Sequence, residues 1–128
     1  MQVKASLNNL RITPRKSREV INLIRGKKVV DARTILEFTV KRATNPVLKL
    51  LNSAISSATQ NFKLEESDLY VSKITVDEGP KLKRSFPMSR GKAYPIMKRS
   101  SHIALILSEI PNHKSQITNK SRKLKKKP

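Results

Sequence analysis

Apolar residues at helical spacing predict an amphipathic helix near the start of the chain. Thr13 and Pro14 predict where it begins, because threonine is a good N-cap and the fixed φ of proline suits the first turn. Gly26 predicts where it ends, because glycine readily adopts the left-handed conformation found after many helices. The face predicted to be buried consists of Ser17, Val20, Ile21 and Ile24. The opposite face is polar and consists of Arg15, Arg18, Asn22 and Arg25.

Two further helices are predicted by the same kind of signal. Asp31 can cap a helix over residues 32 to about 40, whose apolar residues are Ile35, Leu36, Phe38 and Val40. Asn45 followed by Pro46 repeats the start signal for a third helix, which reaches Phe62. The buried face predicted for this third helix consists of Val47, Leu51, Ala54, Ile55, Ala58 and Phe62.

Three other stretches predict strands. Residues 69–76 and 101–110 are rich in β-branched residues, and residues 2–10 alternate apolar and polar positions more weakly. If the two late strands pair, residues 80–101 form one long hairpin extension in which Gly91 permits the turn. The predicted fold class is therefore α+β, with a small antiparallel sheet packed on three helices and a long protruding β-hairpin. One domain is expected over residues 1–110, followed by a basic, disordered tail over residues 111–128.

The charge of the chain is distributed in blocks. Twenty-eight Lys and Arg residues against nine Asp and Glu give a net charge of +19. Residues 1–29, 79–102 and 111–128 each carry an excess of seven positive charges, and the stretch from 79 to 102 contains no acidic residue. Such an excess repels itself unless a partner supplies negative charge, which predicts a nucleic acid ahead of a membrane surface or an acidic protein.

The predicted hairpin mixes these charges with flat and apolar side chains. Its apolar members are Phe86, Pro87, Met88, Tyr94, Pro95, Ile96 and Met97. Its basic members are Lys81, Lys83, Arg84, Arg90, Lys92, Lys98 and Arg99. Basic groups can neutralise phosphates while aromatic and apolar groups stack on or wedge against bases, so this segment is the first candidate for RNA binding. A solvated loop is the alternative, but such loops seldom contain so many apolar residues.

A second candidate surface is the polar face of the first helix and its flanks. The RNA contacts predicted there are Arg11, Arg15, Lys16, Arg18, Arg25, Lys27 and Lys28. Arginine suits this role because its planar guanidinium bridges phosphate oxygens and also stacks. Exposed basic faces are common on helices, and a basic tail can serve solubility alone, so solvated surfaces remain the alternative for both.

Other chemistry is poorly supported. Ser100-Ser101-His102 lacks an acidic residue at a motif spacing, so a basic ribonuclease using His102 or His113 remains a remote alternative. Three scattered glycines give no nucleotide-binding loop, and two His with no Cys argue against zinc, so no cofactor or metal is expected. No apolar run is long enough for a membrane span, and the patterned N-terminus predicts no targeting peptide. A DNA-bending architectural protein with a β-ribbon is the other alternative.

Several motifs together resemble a known family. They are Thr13-Pro14-Arg15-Lys16, Leu23-Ile24-Arg25-Gly26-Lys27-Lys28-Val29, Leu50-Leu51-Asn52-Ser53-Ala54-Ile55, Ile74-Thr75-Val76-Asp77-Glu78-Gly79-Pro80, Lys83-Arg84, Pro87, Gly91-Lys92-Ala93 and Lys98-Arg99-Ser100-Ser101-His102-Ile103. In this order and spacing, over roughly residues 3–110, the chain resembles large-subunit ribosomal protein twenty-two of the bacterial type.

The resemblance implies a non-enzymatic, monomeric constituent of the large ribosomal subunit. It implies binding to ribosomal RNA through the residues above, including Phe86, Tyr94 and His102, and contact with neighbouring ribosomal proteins. The hairpin tip would line the nascent-peptide exit tunnel, and the tip residues implied here are Lys83, Arg84, Pro87, Met88, Ser89, Arg90, Gly91 and Lys92. A bacterial cytoplasm and an organelle that encodes its own ribosomal proteins both fit. Met88-Ser89 and Tyr94-Pro95 depart from the usual family pattern.

Overall fold

Three helices and five strands account for most of the chain in the computed structural model, which describes residues 1–110. The strands are β1 (Gln2–Leu10), β2 (Leu69–Glu78), β3 (Leu82–Pro87), β4 (Ala93–Lys98) and β5 (Ser101–Glu109). The helices are α1 (Pro14–Ile24), α2 (Val29–Phe38) and α3 (Thr44–Phe62). The prediction for the tail, residues 111–128, lies outside the described residues.

Helix α1 begins where the sequence predicts it. Pro14 occupies the first turn after an extended Thr13, although the Thr13 side chain makes no capping hydrogen bond. The helix ends at Ile24, two residues before Gly26, which has a φ of 73° and turns the chain away. The predicted buried face is confirmed, since Ser17, Val20, Ile21 and Ile24 are all buried.

Helix α2 differs from its prediction at both ends. It starts at Val29, so Asp31 lies in the first turn, where its carboxylate complements the helix dipole, rather than at the cap. The buried stripe is Val29, Ala32 and Leu36. Phe38 and Val40 fall outside this stripe and are 81% and 100% exposed.

Helix α3 contributes more residues to the core than either of the other two helices. It starts at Thr44, one residue before the predicted cap Asn45. Its predicted buried face is confirmed at every position but the last, and the confirmed residues are Val47, Leu51, Ala54, Ile55 and Ala58. Phe62 is 43% exposed, because the helix ends there at a left-handed Lys63 and it is Leu64 that packs against the core.

The main sheet is three-stranded and antiparallel, in the order β1-β5-β2. All three predicted strands are present, including the weakly predicted β1, whose alternating residues pair along β5. Alternate residues of the central strand, Ile103, Leu105 and Leu107, are buried in a core shared with the helices. The α+β fold class is thus confirmed. Among residues 1–110 no helix is long and apolar enough to cross a membrane.

Candidate nucleic-acid interface

The connection between β2 and β5 contains a two-stranded antiparallel ribbon, residues 82–98. Strands β3 and β4 pair from Leu82–Lys98 to Pro87–Ala93. Every residue from Pro80 to Arg99 is exposed, and none belongs to the core. The aromatic and large apolar side chains of this segment therefore stay partly exposed, from 38% at Ile96 to 55% at Tyr94.

The register of the ribbon sorts its side chains into two faces, because paired residues point to the same side and neighbours alternate. One face, here called the aromatic face, consists of Leu82, Arg84, Phe86, Tyr94, Ile96 and Lys98. The other consists of Lys83, Ser85, Pro87, Ala93, Pro95 and Met97. Phe86 and Tyr94 are direct cross-strand partners and are 53% and 55% exposed. The two rings therefore lie side by side on this face, which also carries the cations Arg84 and Lys98.

The ribbon closes in a tight turn over residues 88–92. The N–H of Met88 donates to the carbonyl oxygen of Lys92 at 2.8 Å. Gly91 has a φ of 69°, as expected of a glycine that permits the turn, and Arg90 also lies in the left-handed region at 58°. Both residues are exposed, so the turn presents the Arg90 guanidinium to solvent.

A groove lies between the start of the ribbon and the helical body. Its volume is about 1030 Å³. The body contributes the approach to α1, the first turns of α1 and the α2–α3 connection, and the ribbon side contributes the start of β3 and the end of β4. The groove is lined by Asn9, Arg11, Ile12, Thr13, Lys16, Glu19, Lys41, Arg42, Ala43, Pro80, Leu82, Arg84, Met97, Lys98, Arg99 and Ser100.

The groove is strongly basic. Its seven cationic residues are Arg11, Lys16, Lys41, Arg42, Arg84, Lys98 and Arg99. Glu19 is its one acidic residue, and the Lys41 ammonium contacts the Glu19 carboxylate at 2.8 Å. Lys41 and Arg42 were not among the predicted contacts, because the sequence does not reveal that the α2–α3 connection lies beside the ribbon. Adjacent basic residues in a short inter-helix connection are the signal that could have found them.

The Lys41–Glu19 ion pair gives a pH prediction. The hydrogen bond and charge of Lys41 lower the pKa of Glu19. Because this pKa is lower in the folded chain than in the unfolded chain, the pair contributes stability at neutral pH and loses it as the pH falls through the lowered value. We expect Lys41→Ala to raise the pKa of Glu19 most of the way to its ordinary value, measured by NMR titration of the carboxyl carbon.

The exposed Lys49, which lies on α3 and is not part of the groove, supplies the control for that titration. Lys49→Ala should leave the titration of Glu19 unchanged. An unshifted Glu19 in the parent protein would contradict the pairing.

Two arginines of the polar face predicted for the first helix make hydrogen bonds within the chain. The Arg18 guanidinium donates to the carbonyl oxygen of Val76 at 3.0 Å, and that of Arg25 donates to the carbonyl oxygen of Ile74 at 3.3 Å. Both acceptors lie on the outer strand β2, so these arginines cover part of a sheet edge. Both residues are nevertheless exposed.

Four other predicted contacts lie near the two ends of β2. Lys27 and Lys28 lie at its start, where the backbone of Lys28 bridges to Tyr70. Lys81 lies beyond its end and pairs with Glu78 at 2.9 Å, which lowers the pKa of that carboxyl. The half-buried His102 accepts a hydrogen bond at Nδ1 from the N–H of Asn9 at 3.1 Å. Within residues 1–110 no three His, Cys, Asp or Glu side chains are grouped to hold a metal.

Comparison with known proteins assigns the chain to a family. The family model described as ribosomal protein L22p/L17e matches residues 5–108. The chain belongs to this ribosomal protein family. The match spans the sheet, the three helices, the groove and the whole ribbon.

Curated relatives cover nearly the same part of the chain. A large ribosomal subunit protein uL22 of Desulfitobacterium hafniense strain DCB-2 is 51% identical over 108 residues, which are 84% of this chain and 95% of the relative. The protein of the same name from Lactobacillus delbrueckii subsp. bulgaricus is 49% identical over 107 residues, 84% of this chain and 92% of the relative. Membership of the family favours a ribosomal role over a DNA-bending or nuclease role.

Proposed function

We propose that this protein is a structural constituent of the large ribosomal subunit and binds ribosomal RNA through the groove and the ribbon. The observation that carries the proposal is the ribbon itself, an exposed antiparallel arm with no acidic residue and with paired aromatic side chains. The family of the chain supports the ribosomal setting, since its curated relatives are named as large-subunit proteins.

The two surfaces perform different parts of this binding. The groove supplies cations from three directions, which suits a phosphate backbone that passes between body and ribbon. The aromatic face supplies rings on which unstacked bases can lie, with Arg84 beside them to neutralise phosphates. Folded RNA with loops and bulges fits better than a regular duplex, because the deep, narrow major groove of A-form RNA does not admit side chains.

The turn of the ribbon is the part that would reach furthest from the body. In this proposal residues 83–92 line the exit tunnel and meet the nascent peptide, while the body contacts neighbouring ribosomal proteins as a monomer. Support comes from the fully exposed turn, which holds Arg90 outward, and from the family assignment. The setting is a cytoplasmic ribosome or that of an organelle, and no enzymatic step is involved.

Charge neutralisation of the ribbon tests the RNA contact. Lys83, Arg84, Arg90 and Lys92 are replaced together by glutamine, and binding to large-subunit ribosomal RNA is measured by filter retention at several salt concentrations. We expect weaker binding and a salt slope flatter by roughly three, because each lost phosphate contact removes about 0.7 to 0.9 from the slope.

A matched variant separates local contact from net charge. Lys4, Lys49, Lys63 and Lys73 are exposed on the body outside the groove and ribbon, so their replacement by glutamine removes the same total charge. This control should keep most of the slope. If both variants lost the same affinity and the same salt slope, only net charge would matter, and the ribbon would not be the contact. Equal competition by duplex DNA would favour a DNA-bending role instead.

A further inference from the structure

The junction between the main sheet and the ribbon has an irregular register. The last pair of the sheet is Glu78 with Ser101, and the first pair of the ribbon is Leu82 with Lys98. Residues 79–81 on one strand therefore face only residues 99–100 on the other. Such a β-bulge bends and twists a strand pair, so the direction of the ribbon is set at this point. Residues 78–81 and 99–102 are here called the root.

The root is tied across by two hydrogen bonds. The N–H of Gly79 donates to the carbonyl oxygen of Ser100 at 2.9 Å. The Ser100 hydroxyl donates to the carbonyl oxygen of Pro80 at 2.7 Å. Ser100 is buried, whereas the ribbon residues beyond it are all exposed, so the root is the last packed point before the arm leaves the body.

The close approach of the two strands depends on a glycine. A Cβ atom at residue 79 would lie 2.5 Å from the Ser100 Oγ, 3.1 Å from the His102 Nε2 and 3.3 Å from the Ser100 carbonyl carbon. Its φ does not lie in the left-handed region, so the demand at this position is for space and not for an unusual backbone conformation. Alanine would therefore push against the hydroxyl that ties the root.

The structure thus points to a positioning function. We propose that the root is a rigid bulge in which Gly79 and Ser100 hold the ribbon at one angle to the groove, so that both surfaces meet a single folded RNA together. This proposal rests on the proposed RNA-binding function and deepens it. A preset angle strengthens binding because the RNA need not order a swinging arm, and that entropic cost is removed before binding.

The angle can be measured without RNA. The chain contains no cysteine, so spin labels can be placed at Ser56→Cys on α3 and Ser89→Cys in the turn, both exposed. Pulsed electron resonance then reports the distance distribution between body and turn. We expect a narrow distribution in the parent, a broader one in Ser100→Ala, and a shifted and broader one in Gly79→Ala.

The double variant is the decisive comparison. Ser100→Ala removes the Oγ atom that a new Cβ would approach most closely, so Gly79→Ala with Ser100→Ala should move most of the way back to the distribution of Ser100→Ala alone. Affinity for large-subunit ribosomal RNA should follow the same order, with about tenfold loss in Gly79→Ala and about threefold loss in the other two. Ser67→Ala makes the same chemical change at an exposed serine of the body, outside the groove, the ribbon and the root, and should match the parent in both measurements.

The two measurements distinguish a failure of the rigid root from a failure of RNA binding. Distributions that match the parent in all variants would overturn it, and so would altered distributions with parental affinity for RNA. Should Gly79→Ala fail to fold, Ser100→Ala still decides the matter through its own distribution and affinity. A parent that does not bind ribosomal RNA would instead refute the proposed function, while the distance measurement would still report whether the root is rigid.

Discussion

Replacing residues 82–98 by a two-residue Asn-Gly turn is expected to leave the body folded and to weaken binding to large-subunit ribosomal RNA by about 100-fold at physiological salt. The core contains no residue between Gly79 and Arg99, so its packing does not depend on the ribbon. The free energy of unfolding should change by less than about 1 kcal/mol, because a shorter connection closes at no greater entropic cost.

The expected loss of affinity has two sources. Five cations and the paired Phe86 and Tyr94 leave together with the segment. Removing the cations lowers the number of phosphate contacts, and removing the rings abolishes base stacking, which is worth about 1 to 3 kcal/mol per base. Denaturant unfolding measures the stability of the shortened protein, and filter binding on the same preparation measures its affinity for RNA. A body that unfolds would contradict the independence of the core, and parental affinity would contradict the function of the ribbon.

Leu105→Ala is expected to produce the largest loss of stability. Leu105 lies at the middle of the central strand, between Ala5 of β1 and Ile74 of β2, and is 1% exposed. Removing its side chain leaves a cavity that the strands on both sides cannot collapse into, so the free energy of unfolding should fall by about 2 to 5 kcal/mol. Since small domains are stable by about 5 to 15 kcal/mol, this is a substantial fraction. Urea unfolding followed by circular dichroism measures it.

The neighbouring residue provides a control for that substitution. Ile106 points to the other face of the same strand and is only half-buried. Ile106→Ala removes an aliphatic side chain of the same size and should cost less than half as much, because part of its surface already meets water. Equal losses would mean that the core is not confined to the helix side of the sheet.

Local signals predicted a helix or strand well where its own residues mark its position and its buried face. Pro14 and the spacing of Val20, Ile21 and Ile24 were enough for α1, since a helical face and a first-turn proline are local properties. The start of α2 was wrong by three residues. Burial of Val29 against the rest of the fold extended the helix toward its N-terminus, and no local cap signal marks that position.

The candidate site was predictable in its chemistry and not in its arrangement. The ribbon was predicted as a candidate because its segment contains no acidic residue and mixes basic residues with apolar ones, which is not the pattern of a core element. The groove did not follow, because Lys41 and Arg42 are separated along the chain from Lys98 and Arg99 and meet them only in three dimensions. The internal hydrogen bonds of Arg18 and Arg25 were hidden for the same reason.

The sequence by itself determined that this protein has three helices, a small antiparallel sheet and an acid-free cationic segment, since periodicity and charge are properties of the chain. The tertiary structure alone decided which face of the ribbon carries Phe86 and Tyr94, which cations share the groove, and that Gly79 and Ser100 meet across a bulge. These depend on register and on close approach between distant strands. A shift of one residue in either strand would change them without changing the pattern of apolar and polar positions.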